Sequence, residues 1–308
     1  MSNLKDIQNQ RIDERKCIVS NNICEAWGRT GAGGRKENQD CYGGTAIDDA
    51  VLLTVCDGMG GMAGGQTASH IAVAEIMKTL KKQAKGGIDE AAVTAAVTAA
   101  NAAIYQRAYE EPALRGMGTT ATVLVLTPQC AYLTHIGDSR IYQLRKGKKI
   151  FRTFDHSKVF DMVGQGLMTE EQARQSSFSN IITRALGIRN TTEVTVEKLP
   201  YRKGDRFILC CDGIWNIKPE KEMIAIFNEK DKAEDEVQFM TDTVNEAGWD
   251  EGGDHDNLTA IVADMKRDSE YQYSCMKMAK DAVLVDTSAL DFEGSLAKVL
   301  SVIEEKLS

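Results

Sequence analysis

Residues 51–69 read VLLTVCDGMGGMAGGQTAS, and no other stretch limits the fold as much. The apolar and β-branched run 51–56 predicts a buried strand. It delivers a carboxylate, Asp57, into a glycine-rich turn, and a helix is expected from Thr67 onward. A carboxylate beside bare backbone at a strand mouth suits a hard cation, which takes carboxylate, carbonyl and water oxygens. Gly58, Gly60 and Ala63 equally fit the G-x-G-x-x-G/A spacing that lets backbone approach a pyrophosphate. A tight turn with no ligand is the third reading, because Asp-Gly is ordinary turn chemistry. The rest of the chain has to choose.

A chain of 308 residues has room for one large domain or two ordinary ones. Its 43% hydrophobic and 27% charged content is that of a globular protein. The net charge of −8 argues against nucleic-acid binding and against adhesion to anionic membrane. No run approaches the ~18 apolar residues that suggest a membrane span, so no membrane insertion is expected. The N-terminal residues are polar and lack a signal-peptide core, and a cytoplasmic location is expected. Eight cysteines contain no C-x-x-C pair, and several lie inside apolar runs. Reduced, buried thiols are the expected state.

In chain order, residues 1–22 read as a charged N-terminal arm, loose or briefly helical. A strand at 23–27 leads into the loop GRTGAGGRKENQD, which carries Arg35 and ends at Asp40. Helical spacing then covers 67–83 and 89–110, the second alanine-rich and closed by Pro112. The period changes to strand at 121–128 and 130–140, which are expected to form a hairpin. Strands at 141–144 and 150–153 are expected to continue it as an antiparallel meander. A polar helical segment follows at 158–179. Further strands are expected at 193–199, 206–211 and 258–263, with helices at 220–228 and 234–247. Residues 23–265 therefore read as one domain. Residues 266–308 read as a C-terminal extension with an amphipathic helix at 295–307.

Asp57 belongs to a recurrent pattern. Apolar strands run into an acid at Asp138 (LTHIGDSR) and Asp212 (FILCCDGIWN), Asp256 stands just before a strand, and Asp40 closes the glycine loop. Each alone reads as a turn or cap residue. Five such aspartates in one domain read better as a shared cleft, whose mutual repulsion a cation relieves. The four histidines are scattered, with no zinc spacing. An all-oxygen set favours Mg2+ or Mn2+, and two such ions can activate a water for attack on phosphate.

The blocks RKENQD, DGMGG with GQTAS, MGTTAT, GDSR, DHS, ITRALG, LCCDGIWN and DNLTAIV occur in that order across residues 23–265. Together they resemble the metal-dependent serine/threonine phosphatases of the 2C type, particularly the bacterial branch. The resemblance implies an α+β fold, a four-layer αββα sandwich of two antiparallel sheets flanked by helices. It implies that Asp57 bridges two metal ions and the Gly58 carbonyl ligates one. Asp212 and Asp256 would complete the other ion, Asp40 would bind directly or through water, and Asp138 with Asp212 would form a third site. Asp57 and Asp212 are thus the expected catalytic residues, and Arg35 the group that grips substrate phosphate. Residues 158–180 correspond to the flap that bears on substrate choice.

Two positions depart from the family. Met59 stands where many eukaryotic members carry a histidine that protonates the leaving alkoxide, and a thioether has no proton to give. Gln39 stands where some members have Glu. Rival readings fail on their own terms. A dinucleotide fold needs a parallel strand after the first helix, and a second long helix is expected instead. No cysteine has Arg six positions on, and no phosphate-binding P-loop is present. The expected activity is hydrolysis of phosphoserine and phosphothreonine in proteins by metal-activated water. Its partners would be phosphorylated proteins made by an opposing Ser/Thr kinase, and the protein a monomer, or a dimer through its C-terminal helix. The alternative is a catalytically weak phosphatase-fold module that binds phosphoproteins or regulates.

Overall fold

The run 51–56 has no polar alternation because both of its faces are covered. In a computed structural model, residues 11–270 and positions 296 and 301 are described, apart from the side chains of residues 61–63 and 85. The elements in order are β1 (Lys16–Ser20), β2 (Cys24–Gly31), β3 (Cys41–Ile47), β4 (Ala50–Cys56), β5 (Gly58–Met59), α1 (Gly61–Gln83) and α2 (Glu90–Glu110). Next come β6 (Gly118–Thr119), β7 (Ala121–Leu126), β8 (Ala131–Ile136), β9 (Arg140–Arg145), β10 (Lys148–Arg152), α3 (Lys158–Gly164) and α4 (Glu170–Arg174). The rest are β11 (Glu197–Leu199), β12 (Asp205–Cys210), α5 (Asp212–Trp215), α6 (Glu220–Ile226), α7 (Ala233–Asp250) and β13 (Leu258–Met265).

The strands form a six-stranded sheet, β1-β2-β13-β12-β9-β10, and a five-stranded sheet, β11-β8-β7-β4-β3, both antiparallel. Along β4, Val51, Leu53 and Val55 point to the other sheet, where they meet Phe207, Leu209 and Ile261. Leu52 and Cys56 point the other way, onto Ile76 and Leu80 of α1 and Val93 and Val97 of α2. On the far side, Ile208 and Cys210 of β12 pack against Val237, Met240 and Val244 of α7. Three apolar interfaces therefore separate four layers, and the αββα sandwich is the fold. Burial of apolar area at about 25 cal/mol per Å2 is the main term holding such layers together.

The structure departs from the sequence reading at five places. The expected meander is split: β8 pairs in the five-stranded sheet, whereas β9 pairs with β12 and β10 in the six-stranded one. Residues 137–139 carry the chain across between the sheets. Residues 16–20, expected in the arm, form the edge strand β1 alongside β2. Strand β3 pairs with β4 over its whole length, although its GGT core gave no apolar signal. Helix α1 starts at Gly61, six residues before Thr67. The segment 158–179 holds two short helices, α3 and α4, with a small core of their own around Val159, Phe160 and Ala173. Residues 11–270 lie within one unit, 1–271, and a second unit spans 272–308. Apart from positions 296 and 301, the expected C-terminal helix lies outside the described residues.

Candidate active site

Strand ends from both sheets converge on one edge of the sandwich. Asp57 leaves β4 and Asp138 lies in the crossover after β8, while Asp212 follows β12 and Asp256 precedes β13. These four line a cavity of about 570 Å3 with Gly58, Met59, Arg35 and Gln39. Asp40, just before β3, lies buried beside it. All five predicted aspartates are close enough that the other four act on the charge of Asp57.

Asp57 is fixed through its backbone. The Asp57 amide donates to the Thr120 hydroxyl at 2.9 Å, and its carbonyl accepts from the Thr120 amide and Thr119 hydroxyl at 2.8 Å each. The Thr120 hydroxyl in turn meets that of Ser139 at 2.7 Å, which ties the MGTTAT block to the GDSR crossover. Gly58 and Met59 pair with Thr119 and Gly118. A Cβ at Gly58 would run into the Gly65 carbonyl oxygen and lie 2.6 Å from that of Gln39, so only glycine fits there. Gly213, after Asp212, is pressed in the same way against the Asn257 carbonyl.

Asn257 is the fastener that sequence reasoning missed. Its side-chain oxygen accepts from the Gln39 amide at 2.8 Å, and its nitrogen donates to the carbonyls of Ala32 and Glu37 at 3.0 and 2.9 Å. The loop carrying Arg35 and Asp40 is thereby pinned beside Asp256. The signal was present as the amide following Asp256 in DNLTAIV. Also missed was the pair Arg140–Asp155, which links the GDSR and DHS blocks by two hydrogen bonds of 2.8 and 2.7 Å, fully inside. Arg140 also lies 3.3 Å over the Trp215 ring. Asn180 and Ile182, at the end of the 158–180 segment, complete the cavity wall.

The electrostatics are those of crowded carboxylates. Burial pushes Asp40 up to about 7, against the pull of Thr259 and Cys211 beside it, and Asp212 and Asp256 push it further. Asp212 rises to about 6, through burial and then the charge of Asp256. Asp57 and Asp138 are raised well above the ordinary range for the same two reasons. Both carboxylate oxygens of Asp40 and one of Asp212 are buried with no hydrogen-bond partner. Unpartnered anionic oxygens in a shared cleft are the environment a divalent cation satisfies, and the donors are hard oxygens suited to Mg2+ or Mn2+. Among the described residues no three Asp, Glu, His or Cys side chains form a ready-made cage for one ion. An ion here would complete its shell with water and backbone carbonyl. The structure therefore fits the group.

Arg35 reaches the cavity from the rim. Its guanidinium makes a fork to Asp256 with two contacts of 3.2 Å and meets Asp254 at 3.4 Å, which raises its already high pKa. Met59 sits in the cavity wall, and among the described residues no histidine lines that cavity.

Residues 28–263 match the family model described as protein phosphatase 2C. The serine/threonine protein phosphatase PstP of Mycobacterium tuberculosis is 33% identical over 274 residues, covering 88% of this chain and 50% of that protein. The chain thus spans about half the length of this curated relative. The serine/threonine phosphatase stp of Listeria monocytogenes is 30% identical over 220 residues, covering 70% of this chain and 85% of that one. A solved structure of the catalytic domain of PstP in complex with two manganese ions superposes with a TM-score of 0.66. It is 32% identical and covers 79% of this chain and 98% of that chain.

Proposed function

This chain belongs to the protein phosphatase 2C family, and we propose that it hydrolyses phosphoserine and phosphothreonine in proteins with the help of divalent metal ions. The observation that carries the reading is the convergence of Asp57, Asp138, Asp212 and Asp256 on one cavity with Arg35 at its rim, above the unpartnered Asp40. Asp57, with the Gly58 carbonyl, Asp212 and Asp256, would hold two Mg2+ or Mn2+ ions. Asp40 would support them directly or through water, and Asp138 with Asp212 would hold a third. When bound, such ions supply a water of lowered pKa and offset the charge of the phosphate.

The remaining work falls to the protein. Arg35 offers a planar fork that matches two phosphate oxygens. Asn257 keeps the Arg35 loop against Asp256, and Thr119 and Thr120 hold Asp57 in register. Met59 gives no proton, so the leaving group would take one from the Asp138 side of the cavity or depart without one. Residues 23–265 would form the catalytic domain, with 158–180 as its flap and 266–308 as an extension. The opposing enzyme would be a Ser/Thr kinase. Among the described residues all seven cysteines are free, which suits a reducing cytoplasm, and no helix is long and apolar enough to cross a membrane.

A phosphopeptide assay with and without Mn2+ tests the proposal. Turnover is expected with the metal and abolished by excess chelator, by Asp57→Asn and by Asp212→Asn. Turnover that survives in either variant would sink the residue assignment. Phosphopeptide binding without turnover under any metal would instead favour a binding module.

A further inference from the structure

A second cavity of about 570 Å3 opens off the first. The two share Arg35, Asn180, Asp212 and Asp256, so they form one trough with its elbow at the acid cluster. The second arm runs between Arg174 of α4 and the segment after α5, and ends at the last turn of α7. Its size lies within the roughly 300–1,000 Å3 of ligand clefts.

Acidic and basic side chains face one another along this arm. Glu222, Glu251 and Asp254 stand on its walls, and the Asp254 side chain is 93% exposed. The facing cations are Arg35, Arg174 and Lys218. Arg174 is already forked by Glu171 at 3.0 and 3.3 Å. Lys218 is 3.9 Å from Glu251, a loose contact. Arg35 is the group assigned to the phosphate. Glu222 has no ion pair among the described residues. The amide oxygen of Asn216, also in this wall, is buried without a hydrogen-bond partner. With Arg35 engaged by a phosphate and Arg174 by Glu171, the carboxylates Glu222, Glu251 and Asp254 face Lys218 as the remaining cation among the described residues of the arm.

We propose that this arm receives a basic side chain, lysine or arginine, of the substrate protein, flanking the phosphorylated residue held at the elbow. The inference rests on the phosphatase reading above and names its substrate class. A phosphate anchored at Arg35 lets the polypeptide leave along the arm. There each exposed carboxylate–ammonium pair adds about 1.4–5-fold in affinity, and salt weakens the effect.

The test uses matched phosphoserine peptides carrying lysine or glutamate at the flanking positions. The dissociation constant is read by fluorescence anisotropy and kcat/KM by phosphate release with Mn2+. The protein is expected to favour the lysine peptides by about 3–10-fold at low ionic strength. In Glu222→Lys combined with Glu251→Lys that ratio is expected to invert. Because a ratio does not depend on the fraction of folded protein, partial misfolding leaves the outcome readable. Equal affinity for both peptides, or a preference untouched by the double charge reversal, overturns the proposal. If no peptide is turned over, the phosphatase reading fails, and the binding ratio still decides for or against the arm.

Discussion

The indole Nε1 of Trp215 donates to the backbone carbonyl of Asp138 at 2.9 Å. This bond joins the helix that begins at Asp212 to the crossover that carries Asp138, so two of the cluster's acids are held to one another. Arg140 lies over the same ring and is itself locked by Asp155. Trp215→Phe should keep the apolar bulk and strand the Asp138 carbonyl. A loss of about 1–3 kcal/mol is expected for a buried acceptor left unpaired, readable as a lower denaturation midpoint at unchanged m-value. Wild-type stability in this variant would mean that the bond does no holding.

Arg140 and Asp155 form an ion pair whose side chains are 4% and 2% exposed. Removing one partner leaves a buried charge uncompensated. Arg140→Met should therefore cost about 3–5 kcal/mol. Adding Asp155→Leu should recover most of that, since neither charge then has to be desolvated. Additive losses in urea unfolding would contradict a direct pair.

Gly58→Ala should be worse than a one-carbon change suggests. The new Cβ meets the backbone carbonyls of Gly65 and Gln39, which cannot swing aside as a side chain would. The turn must move and take the Gly58 carbonyl with it. A displacement near 1 Å in such a site costs on the order of 100-fold in turnover. Calorimetry should show weakened Mn2+ binding in parallel, and full binding by the variant would refute the role given to this carbonyl.

The acid cluster makes metal binding depend on pH. Asp40, at about 7, and Asp212, at about 6, are raised above their unfolded values. Between about pH 4 and about pH 7 the folded, metal-free chain therefore holds more protons at these groups than the unfolded chain. Their contribution to stability is present at low pH and is lost as pH rises through the folded pKa values. Binding of a divalent ion displaces those protons. The rise in Tm caused by Mn2+ should thus grow from about pH 5 to about pH 8. A shift independent of pH would mean that these carboxyls are not the ligands.

Met59 cannot protonate a leaving alkoxide. If the proton comes from the Asp138 side, Asp138→Ala should slow phosphopeptide turnover more than hydrolysis of an aryl phosphate, whose leaving group needs no proton. Equal losses on the two substrates would assign Asp138 another task.

The chemistry of the site was readable because it is local. An apolar run that ends in an acid beside glycine marks a strand mouth with a carboxylate whatever the rest of the fold does, so Asp57, Asp138 and Asp212 could be located one by one, while their recurrence pointed to a shared cleft. The helices α1, from Thr67 onward, and α2 were readable from their spacing alone. Strand β3 escaped because its Gly43 and Gly44 carry no pattern; they are glycines because Val73 and Met77 of α1 crowd the first, and Leu53 and the Leu52 carbonyl the second. Arg140, Asp155 and Asn257 escaped because their partners lie 15 to 225 positions away.

The alternation of strand and loop, the hard oxygen donors and the absence of a proton donor at Met59 were determined by the sequence itself. Which sheet each strand joins was decided only in three dimensions. Residues 130–140 and 141–144 read as successive strands of one meander, yet the chain crosses at 137–139 because Ile141 and the Tyr142 ring find deeper apolar partners across and beyond the second sheet. That crossover sets Asp138 opposite Asp212. Strand pairing is non-local, and its free energy comes from apolar faces packed between layers, so no stretch of sequence by itself could place five aspartates on one edge.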